Sequence, residues 1–359
     1  MIGYDMNVID RGIRGIFGRE FLTRQRKAKY PLFSTVVDSD KQEEKYNAIS
    51  TLPTLAEVKD ERVLAGLSDY SYTIQNKVYA TGIKVPRTLF EFDQTGQLRT
   101  LVQSLGARVA NFPDQLVYAL LALGDTTTTY DSFPFFQDSG DATGHDLGNG
   151  TIQNNCFLGH LTDALINSTS ATKTDRDNAI AAFQHDLRVA KAMMLELVDD
   201  RDEPWHDDAD PEGLIILCHP RAEFFIRTAL EAAVISDTGN VTAHSVGQVI
   251  TTPRSAPFFA HDDSAFHYGT WYLLKVDTPI KPMIFQRFGP KKDFPDNIPE
   301  ADQEMLQALN SVEVQTIMRT GSNISETTFF DDDFLFGARV IYAAGFGMWQ
   351  NCIKVDGAT

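Results

Sequence analysis

The sequence predicts an α+β fold, and three features of the chain support this. Apolar residues recur at three- and four-residue spacing between Leu98 and Leu123, which predicts a helix roughly 40 Å long. Apolar residues alternate at 70–74 and 79–85, which predicts two strands. After a polar stretch at 125–155, helical and strand-like patterns follow each other without a repeat. A chain of 359 residues is long enough to divide its core between two subdomains.

The two alternating segments predict a β-hairpin, with Asn76 in a turn that needs a positive φ. An isolated hairpin is marginally stable in water, so its apolar face must rest on another surface, including that of a second chain. If that surface belongs to a second chain, hairpin side chains contact a neighbouring subunit. The residues predicted to do so are Tyr70, Tyr72, Tyr79 and Ile83.

The other elements follow from local signals. Pro113 should kink or restart the long helix, and Gly124 should end it. Thr174 and Asp177 resemble a capping box that begins a helix with an apolar stripe from Ile180 to Leu197. Another helix should open at Pro220. Further strands are predicted at 214–218, 246–251, 272–276, 283–286, 338–343 and 348–355, the last two joined across a bend at 345–347.

The charge is strongly acidic overall but uneven along the chain. The net charge is −17, so the chain as a whole should repel nucleic acid. Seven basic residues nevertheless lie between Arg11 and Lys29, against the single acid Glu20. One interpretation is a solvated amphipathic helix, and the other is an arm that contacts an acidic neighbouring subunit or DNA. We favour the neighbour, and the predicted contacts are Arg19, Arg24 and Arg26.

Cysteine usage and hydropathy indicate a cytosolic product. Cys156, Cys218 and Cys352 are far apart in apolar surroundings, which predicts buried thiols and no disulfide or zinc framework. No apolar run approaches the ~20 residues that cross a bilayer. The basic N-terminus lacks the apolar segment of a secretory signal.

Several polar clusters could suggest a functional site, but no catalytic, cofactor-binding or metal-binding residue is predicted. The acidic segment 199–210 lacks the ordered spacing of a calcium loop. His145 and His160 have no evident acidic or cysteine partner in the sequence. A group that could suggest a metal-dependent hydrolase consists of His261, Asp262, Asp263 and His267, but its spacing fits a polar loop better. The motifs of nucleotide-binding and hydrolytic enzymes are absent.

Four segments in one order resemble the Mu-like phage major head subunit family. They are 46–93, with LPTLAEVKDER and YTIQNKVYATGIKVPR; 112–136, with FPDQLVYALLALG and YDSFPFF; 271–288, with WYLLKVDTPIKPMIFQRF; and 334–350, with FLFGARVIYAAGFGMWQ. Ser132 departs from the family's Tyr-Asp-Gly-x-x-Phe-Phe element, in which a glycine is common at this position. The family's nearby acidic-His-Pro element is also absent, and His145 lies behind a longer loop.

The resemblance implies a Hong Kong 97-like major capsid fold with five regions. They are an N-terminal arm (1–50), an elongated hairpin loop (51–92), a peripheral domain with a spine helix (93–173), an axial domain (174–330) and a C-terminal return to the peripheral domain (331–359). Some relatives of this fold cross-link a hairpin lysine to an asparagine, for which Lys77 or Lys84 and Asn351 are the formal candidates.

The resemblance further implies a structural protein that assembles with itself into pentamers and hexamers. The resulting icosahedral head would enclose double-stranded DNA without reading its sequence. Scaffolding, portal and decoration proteins are the expected partners, and no membrane is expected. The protein would reside in the virion after assembly in the host bacterial cytoplasm. An alternative is the shell of a cargo-enclosing nanocompartment with the same fold.

Overall fold

Two five-stranded β-sheets and the helices packed on them share one hydrophobic core. A separate two-stranded sheet lies beside the first of them. The structure is a computed structural model. It describes residues 6–48, 70–86, 88, 96–138, 143–146, 150–167, 172–199, 202–231, 248–251, 268–289, 299–317 and 333–357.

Seven helices and twelve strands lie within these residues. The helices are α1 (Met6–Gln25), α2 (Tyr30–Phe33), α3 (Gln97–Ala122), α4 (Asp163–Asn167), α5 (Lys173–Glu196), α6 (Pro220–Glu231) and α7 (Glu300–Asn310). The strands are β1 (Ser34–Ser39), β2 (Glu43–Ala48), β3 (Tyr70–Gln75), β4 (Lys77–Pro86), β5 (Cys156–Leu158), β6 (Leu214–Cys218), β7 (Gln248–Thr251), β8 (Trp271–Lys275), β9 (Met283–Phe288), β10 (Val312–Ile317), β11 (Asp333–Phe346) and β12 (Cys352–Asp356). Short 3₁₀ turns occupy Pro211–Gly213 and Trp349–Asn351.

The first sheet is organised by the fourteen-residue strand β11. Its first ten residues pair antiparallel with β4, its middle pairs with β10, and its end pairs with β9. β1 adds to β9 in parallel, and Asp38 of β1 forms an ion pair with Arg287 of β9 at a paired position. Helices α1 and α3 pack on each other, and α3 packs on β11. One face of this sheet is therefore covered by the chain's own helices.

The second sheet has the order β5-β12-β8-β6-β7. Every residue of β6 and β8 is buried, as expected for strands covered on both faces. Helix α5 covers one side, where Phe183 packs on Trp271 with ring centroids 5.0 Å apart. The last strand, β12, lies in this sheet with β6 and β8. The predicted domain boundaries, including the C-terminal return at 331–359, stay predictions.

The long helix is confirmed as α3, but its predicted apolar stripe is only partly buried. Val102 and Val117 lie in the core, while Leu101 and Leu123 are 39% and 54% exposed. Apolar residues cover more than half of the helix circumference, so their spacing alone could not select the face that α1 covers. Pro113 is buried inside one continuous helix, which does not restart there.

The predicted hairpin is wrong, although both of its strands exist. β3 pairs with β2, and β4 pairs with β11, so the two segments are neighbours in sequence but not in a sheet. Asn76 does not have a positive φ. Its side chain instead donates hydrogen bonds to Ser39 Oγ (2.9 Å) and Lys41 O (2.8 Å), which attach the β3–β4 junction to the β1–β2 turn. Alternation predicts a strand, but it does not identify a partner that is distant in sequence.

Several local predictions are confirmed. β6 spans the predicted 214–218, and α6 opens at Pro220. The capping box exists but lies two residues earlier, between Thr172 and Asp175. The three cysteines are buried and free. Among the helices that the structure describes, none is long and apolar enough to cross a bilayer.

Candidate subunit-contact surface

The ribbon formed by β2 and β3 rests on the first sheet at one end. Ile74 is 5% exposed and packs in a small apolar cluster with Ile284 and Ala343. A Cβ atom at Gly345 would overlap the Ile74 side chain, so the glycine at 345 lets the ribbon approach β11 closely. The connection between the two strands, residues 49–69, lies outside the described residues.

Two of the predicted hairpin contacts lie on this ribbon. Tyr72 is half-buried and faces Tyr46 on the opposite strand, and Tyr46 Oη accepts a hydrogen bond from Gln286 Nε2 (2.6 Å). Tyr70 begins β3, but its side chain lies outside the described part of the structure. Tyr72 therefore packs within its own chain, on the side of the ribbon that faces the sheet.

The other two predicted contacts, Tyr79 and Ile83, lie on the core side of β4. The Tyr79 ring meets Phe112 of α3 edge-on, with centroids 4.7 Å apart. Ile83 is partly buried against the main core. The apolar face formed by Tyr79 and Ile83 was predicted to contact a neighbouring subunit, but helix α3 of the same chain covers much of this face. Their role as subunit contacts stays a prediction, although the reason for it no longer holds.

On the opposite face, β4, β10 and the first part of β11 carry exposed side chains in the described part of the structure, and we call this surface the outer sheet face. Val78 is 57% exposed and Ile317 is 43% exposed. Between them lies a shallow groove over Gly82 and Gly337, which face each other on β4 and β11. Lys84 at the edge of this face forms an ion pair with Asp333 (2.8 Å). The outer sheet face combines exposed apolar side chains with a charged rim, as in many protein interfaces.

Helix α1 is amphipathic and attached to the body, which supports the helical interpretation of the basic segment. Ile13, Phe17 and Phe21 are buried toward α3. At the end of α1, the Asp114 carboxylate of α3 accepts hydrogen bonds from the backbone amides of Lys29 (3.0 Å) and Tyr30 (2.7 Å). Burial raises the pKa of Asp114, which these hydrogen bonds partly offset. The N-terminal segment is therefore packed on the spine helix.

The basic side chains predicted as contacts lie on the exposed side of this segment. Arg19 is exposed, Arg24 pairs with Glu20 (2.9 Å), and Arg26 reaches Asp302 at 3.4 Å. Exposed ion pairs such as these contribute little to stability and can be exchanged for others at low cost. The three arginines therefore remain available to an acidic partner.

A buried acid–histidine pair joins the loop after α3 to the turn before β12. Asp131 Oδ2 and His145 Nδ1 are 2.5 Å apart, and both side chains are fully buried. The His145 ring stacks on Trp349, with centroids 3.9 Å apart and an angle of 5° between the planes. Burial alone would raise the pKa of Asp131, but hydrogen bonds and charge from His145, with bonds from Thr129 and Phe133, lower it overall. The pair is a structural clamp between two distant segments.

Comparison with known proteins identifies the family. The model of the Mu-like prophage major head subunit gpT family matches residues 6–167 and 241–358, which together make up most of the chain. The chain belongs to this family. Its members are structural head subunits and not enzymes, so the hydrolase alternative is not supported.

Two curated relatives and one solved structure agree with this assignment. The Mu-like prophage FluMu major head subunit of Haemophilus influenzae is 31% identical over 164 residues, 44% of this chain and 50% of that protein. The major capsid protein of Escherichia phage Mu is 30% identical over 109 residues, 30% of this chain and 36% of that protein. These alignments span half or less of either relative. A subunit of the bacteriophage PhiM1 mature capsid is 10% identical with a TM-score of 0.54, over 92% of this chain and 87% of that one. The predicted Hong Kong 97-like α+β capsid fold is confirmed.

Ser132 lies at a position where the resemblance to the family predicts a glycine. Its φ of 71° is in the left-handed region that favours glycine. Glycine would adopt this backbone conformation without strain, whereas serine adopts it at a steric cost. Asp131 next to it accepts a hydrogen bond from the Phe133 amide (3.2 Å), which helps to hold this turn.

Ser132→Gly should therefore stabilise the head subunit by about 1 kcal/mol, because glycine adopts the left-handed region without a steric penalty. Urea unfolding of the unassembled subunit would measure the change in the free energy of unfolding. Ser71→Gly, at a strand position without a positive φ, serves as a matched control and should lower stability. A Ser132→Gly variant that is no more stable than wild type would argue against a strained turn.

The remaining site predictions have separate outcomes. The group His261, Asp262, Asp263 and His267 lies outside the described residues. Asp208 of the acidic segment and Asp277, which follows β8, each lie 3.1 Å from the Lys275 ammonium group, an ion-pair arrangement. Asn351 is buried, and its amide donates to Thr278 Oγ1 (3.0 Å) and Ile280 O (2.7 Å), so it is not placed to cross-link with a lysine of another subunit.

Two groups of residues that the structure reveals are not predicted from the sequence. The outer sheet face contains the even-numbered positions of β4, whereas the predicted contacts Tyr79 and Ile83 are odd-numbered. The alternation of apolar residues shows that β4 has two different faces, but it does not show which face the rest of the chain covers. His145 and His160 show no evident partner in the sequence, and the structure pairs them with Asp131 and Asp186. These carboxylates are distant in sequence, so no local signal could have identified them.

Proposed function

We propose that this protein is the major head subunit of a Mu-like tailed phage or prophage and assembles with itself into a closed icosahedral shell of pentamers and hexamers. The observation that carries this proposal is the family match over most of the chain. The capsid fold supports it independently of sequence identity. The shell encloses double-stranded DNA, and a net charge of −17 favours dense packing of DNA that does not adhere to the wall.

The outer sheet face is the surface that we assign to contact with a neighbouring copy. Val78 and Ile317 are large apolar side chains left exposed on a sheet whose other face is covered. A shell requires heterologous contacts, in which one patch meets a different patch of the next copy. The exposed Arg19, Arg24 and Arg26 of the α1 segment complement the acidic body of such a copy.

Further partners follow from this role. A scaffolding protein, a portal and a decoration protein complete the head, and DNA is contacted without reading its sequence. The protein resides in the virion and is assembled in the host bacterial cytoplasm. The alternative, a cargo-enclosing shell of the same fold, is not favoured, because the matching family is that of a prophage major head subunit.

Negative-stain electron microscopy of the recombinant protein, alone and with co-expressed scaffold, tests the assembly proposal. Closed shells or ring-shaped capsomers are expected in at least one of the two samples. Particles are then analysed for content, since nuclease-protected DNA from infected or induced cells supports a head, whereas a protein cargo supports the nanocompartment. A monomeric sample under both conditions would contradict self-assembly.

Val78→Asp combined with Ile317→Asp should abolish shell formation and leave a folded subunit. The physical reason is that a charge buried in an apolar interface is strongly unfavourable, whereas both positions are solvated in the free chain. Electron microscopy measures assembly, and circular dichroism with thermal unfolding measures the fold.

Two controls accompany this variant. Val78→Ile with Ile317→Val keeps the face apolar and should assemble. Tyr79→Asp with Ile83→Asp lies on the covered face of β4 and should destabilise the subunit itself. Normal shells from the Val78→Asp and Ile317→Asp variant would remove the outer sheet face from the proposal.

A further inference from the structure

Two histidines and an aspartate meet where the loop after β5 crosses α5. His160 Nδ1 lies 2.7 Å from Asp186 Oδ1, and His185 Nδ1 lies 3.5 Å from the same oxygen. The two imidazole rings are edge-to-face, with centroids 4.5 Å apart. One ligand atom from each residue lies within 4.8 Å of the others. We propose that His160, His185 and Asp186 form a binding site for Zn²⁺ or a similar divalent transition-metal ion.

The aspartate is fixed in place before any ion binds. Asp186 is fully buried, and its Oδ2 accepts hydrogen bonds from the backbone amides of His160 (2.7 Å) and Leu161 (3.2 Å). A Cβ atom at Gly159 would lie 2.8 Å from that oxygen, so the glycine at 159 gives the carboxylate room. Hydrogen bonds from the loop at 159–161 therefore hold Asp186 Oδ2 in place, while Asp186 Oδ1 is directed toward both histidines. A carboxylate oriented by such outer hydrogen bonds is typical of metal sites.

The ligand set and its exposure indicate the class of ion. Two imidazoles and one carboxylate are the donors that zinc and its neighbours prefer, whereas calcium and magnesium prefer oxygen alone. The His160 and His185 side chains are 63% and 49% exposed, which leaves a fourth position open to water. Ligand atoms of a tetrahedral zinc ion lie about 3.3 Å apart. The two nitrogen–oxygen distances bracket this value, and both rings have room to move.

The neutral imidazole of His160 or His185 can bind the ion through Nδ1, and no other group of the protein has to accept the Nδ1 proton. In the hydrogen-bonded form each Nδ1 carries the proton directed at Asp186. When the ion binds, the imidazole adopts its other tautomer, with the proton on Nε2. The bound ion would connect the loop at 159–161 to α5 and so reinforce the contact between β5 and the helix that covers the second sheet. This role is independent of the proposed shell assembly.

Cobalt spectroscopy of the untagged, chelator-treated full-length protein tests the site directly. Co²⁺ should produce the visible absorption of a low-coordinate site, and stoichiometric Zn²⁺ should displace it. His160→Ala and His185→Ala should each weaken binding at least about tenfold. His219→Ala, at the start of α6, is the matched control and should bind like wild type. A combined His261→Ala and His267→Ala variant tests whether those residues bind the ion instead.

Thermal unfolding provides a second measurement. Zn²⁺ at about 100 times its dissociation constant should raise the Tm of the wild type on the order of 5 °C. It should not raise that of the His160→Ala variant. Unaltered Co²⁺ spectra in both single variants, or spectra lost only in the His261→Ala and His267→Ala variant, would overturn the proposal. Absence of any Co²⁺ or Zn²⁺ binding would leave the cluster as a hydrogen-bonded group only.

Discussion

Replacement of Asp131 by alanine should lower the free energy of unfolding by about 3–5 kcal/mol, the usual cost of removing one partner of a buried pair. The variant would leave three groups without their carboxylate acceptor. They are the His145 imidazole, the Thr129 hydroxyl (2.6 Å) and the Phe133 amide (3.2 Å). Urea unfolding followed by tryptophan fluorescence would detect the change, because His145 stacks on Trp349.

The same carboxylate predicts how stability depends on acid. The pKa of Asp131 is lowered from its ordinary value of 3.8 in the folded protein. Its contribution is therefore fully present above that value and is lost as the pH falls through the lower folded pKa. We expect wild-type stability to decline more steeply below pH 3.8 than that of Asp131→Asn. Asp146→Asn, an exposed neighbour, is the control, and parallel acid profiles for wild type and Asp131→Asn would refute the clamp.

Phe17→Ala should cost about 3–5 kcal/mol, the range for removing a buried phenylalanine from a core. Phe17 is 1% exposed, stacks on Phe21 with centroids 6.2 Å apart, and lies between α1 and α3. Thermal unfolding of the soluble subunit measures the loss. Arg19→Ala, two residues away on the exposed side, should leave the Tm nearly unchanged.

The expected loss of stability in Phe17→Ala bears on the role of the N-terminal segment. A basic segment that acted only as a detached arm would make removal of residues 1–29 impair assembly more than folding. Because Ile13, Phe17 and Phe21 are buried, we now expect that deletion to expose one side of α3 and to destabilise the subunit as well. Charge reversal at Arg19, Arg24 and Arg26 is the cleaner test, since it spares the apolar side. A Phe17→Ala subunit as stable as wild type would indicate that α1 is detached in solution.

Local periodicity accounts for the parts of the fold that were predicted well. Helix α3 was expected within one residue of its bounds, β6 and the start of α6 were located correctly, and the stripe of α5 is buried as proposed. These features depend on residues a few positions apart, whose spacing is visible in the sequence. The resemblance to the head-subunit family supplied the global fold, which periodicity alone could not.

The sequence by itself determined the long helix α3, the strands β3, β4 and β6, the acidic charge and the family. Only the tertiary structure decided which strands pair, because β4 finds its partner more than two hundred residues away in β11. It also decided which side of β4 and α3 is covered, because apolar residues were available on more than one face. The pairs Asp131–His145 and His160–Asp186 join residues 14 and 26 positions apart. Such contacts arise when packing buries a carboxylate beside an imidazole, and burial of that kind is not encoded in local spacing.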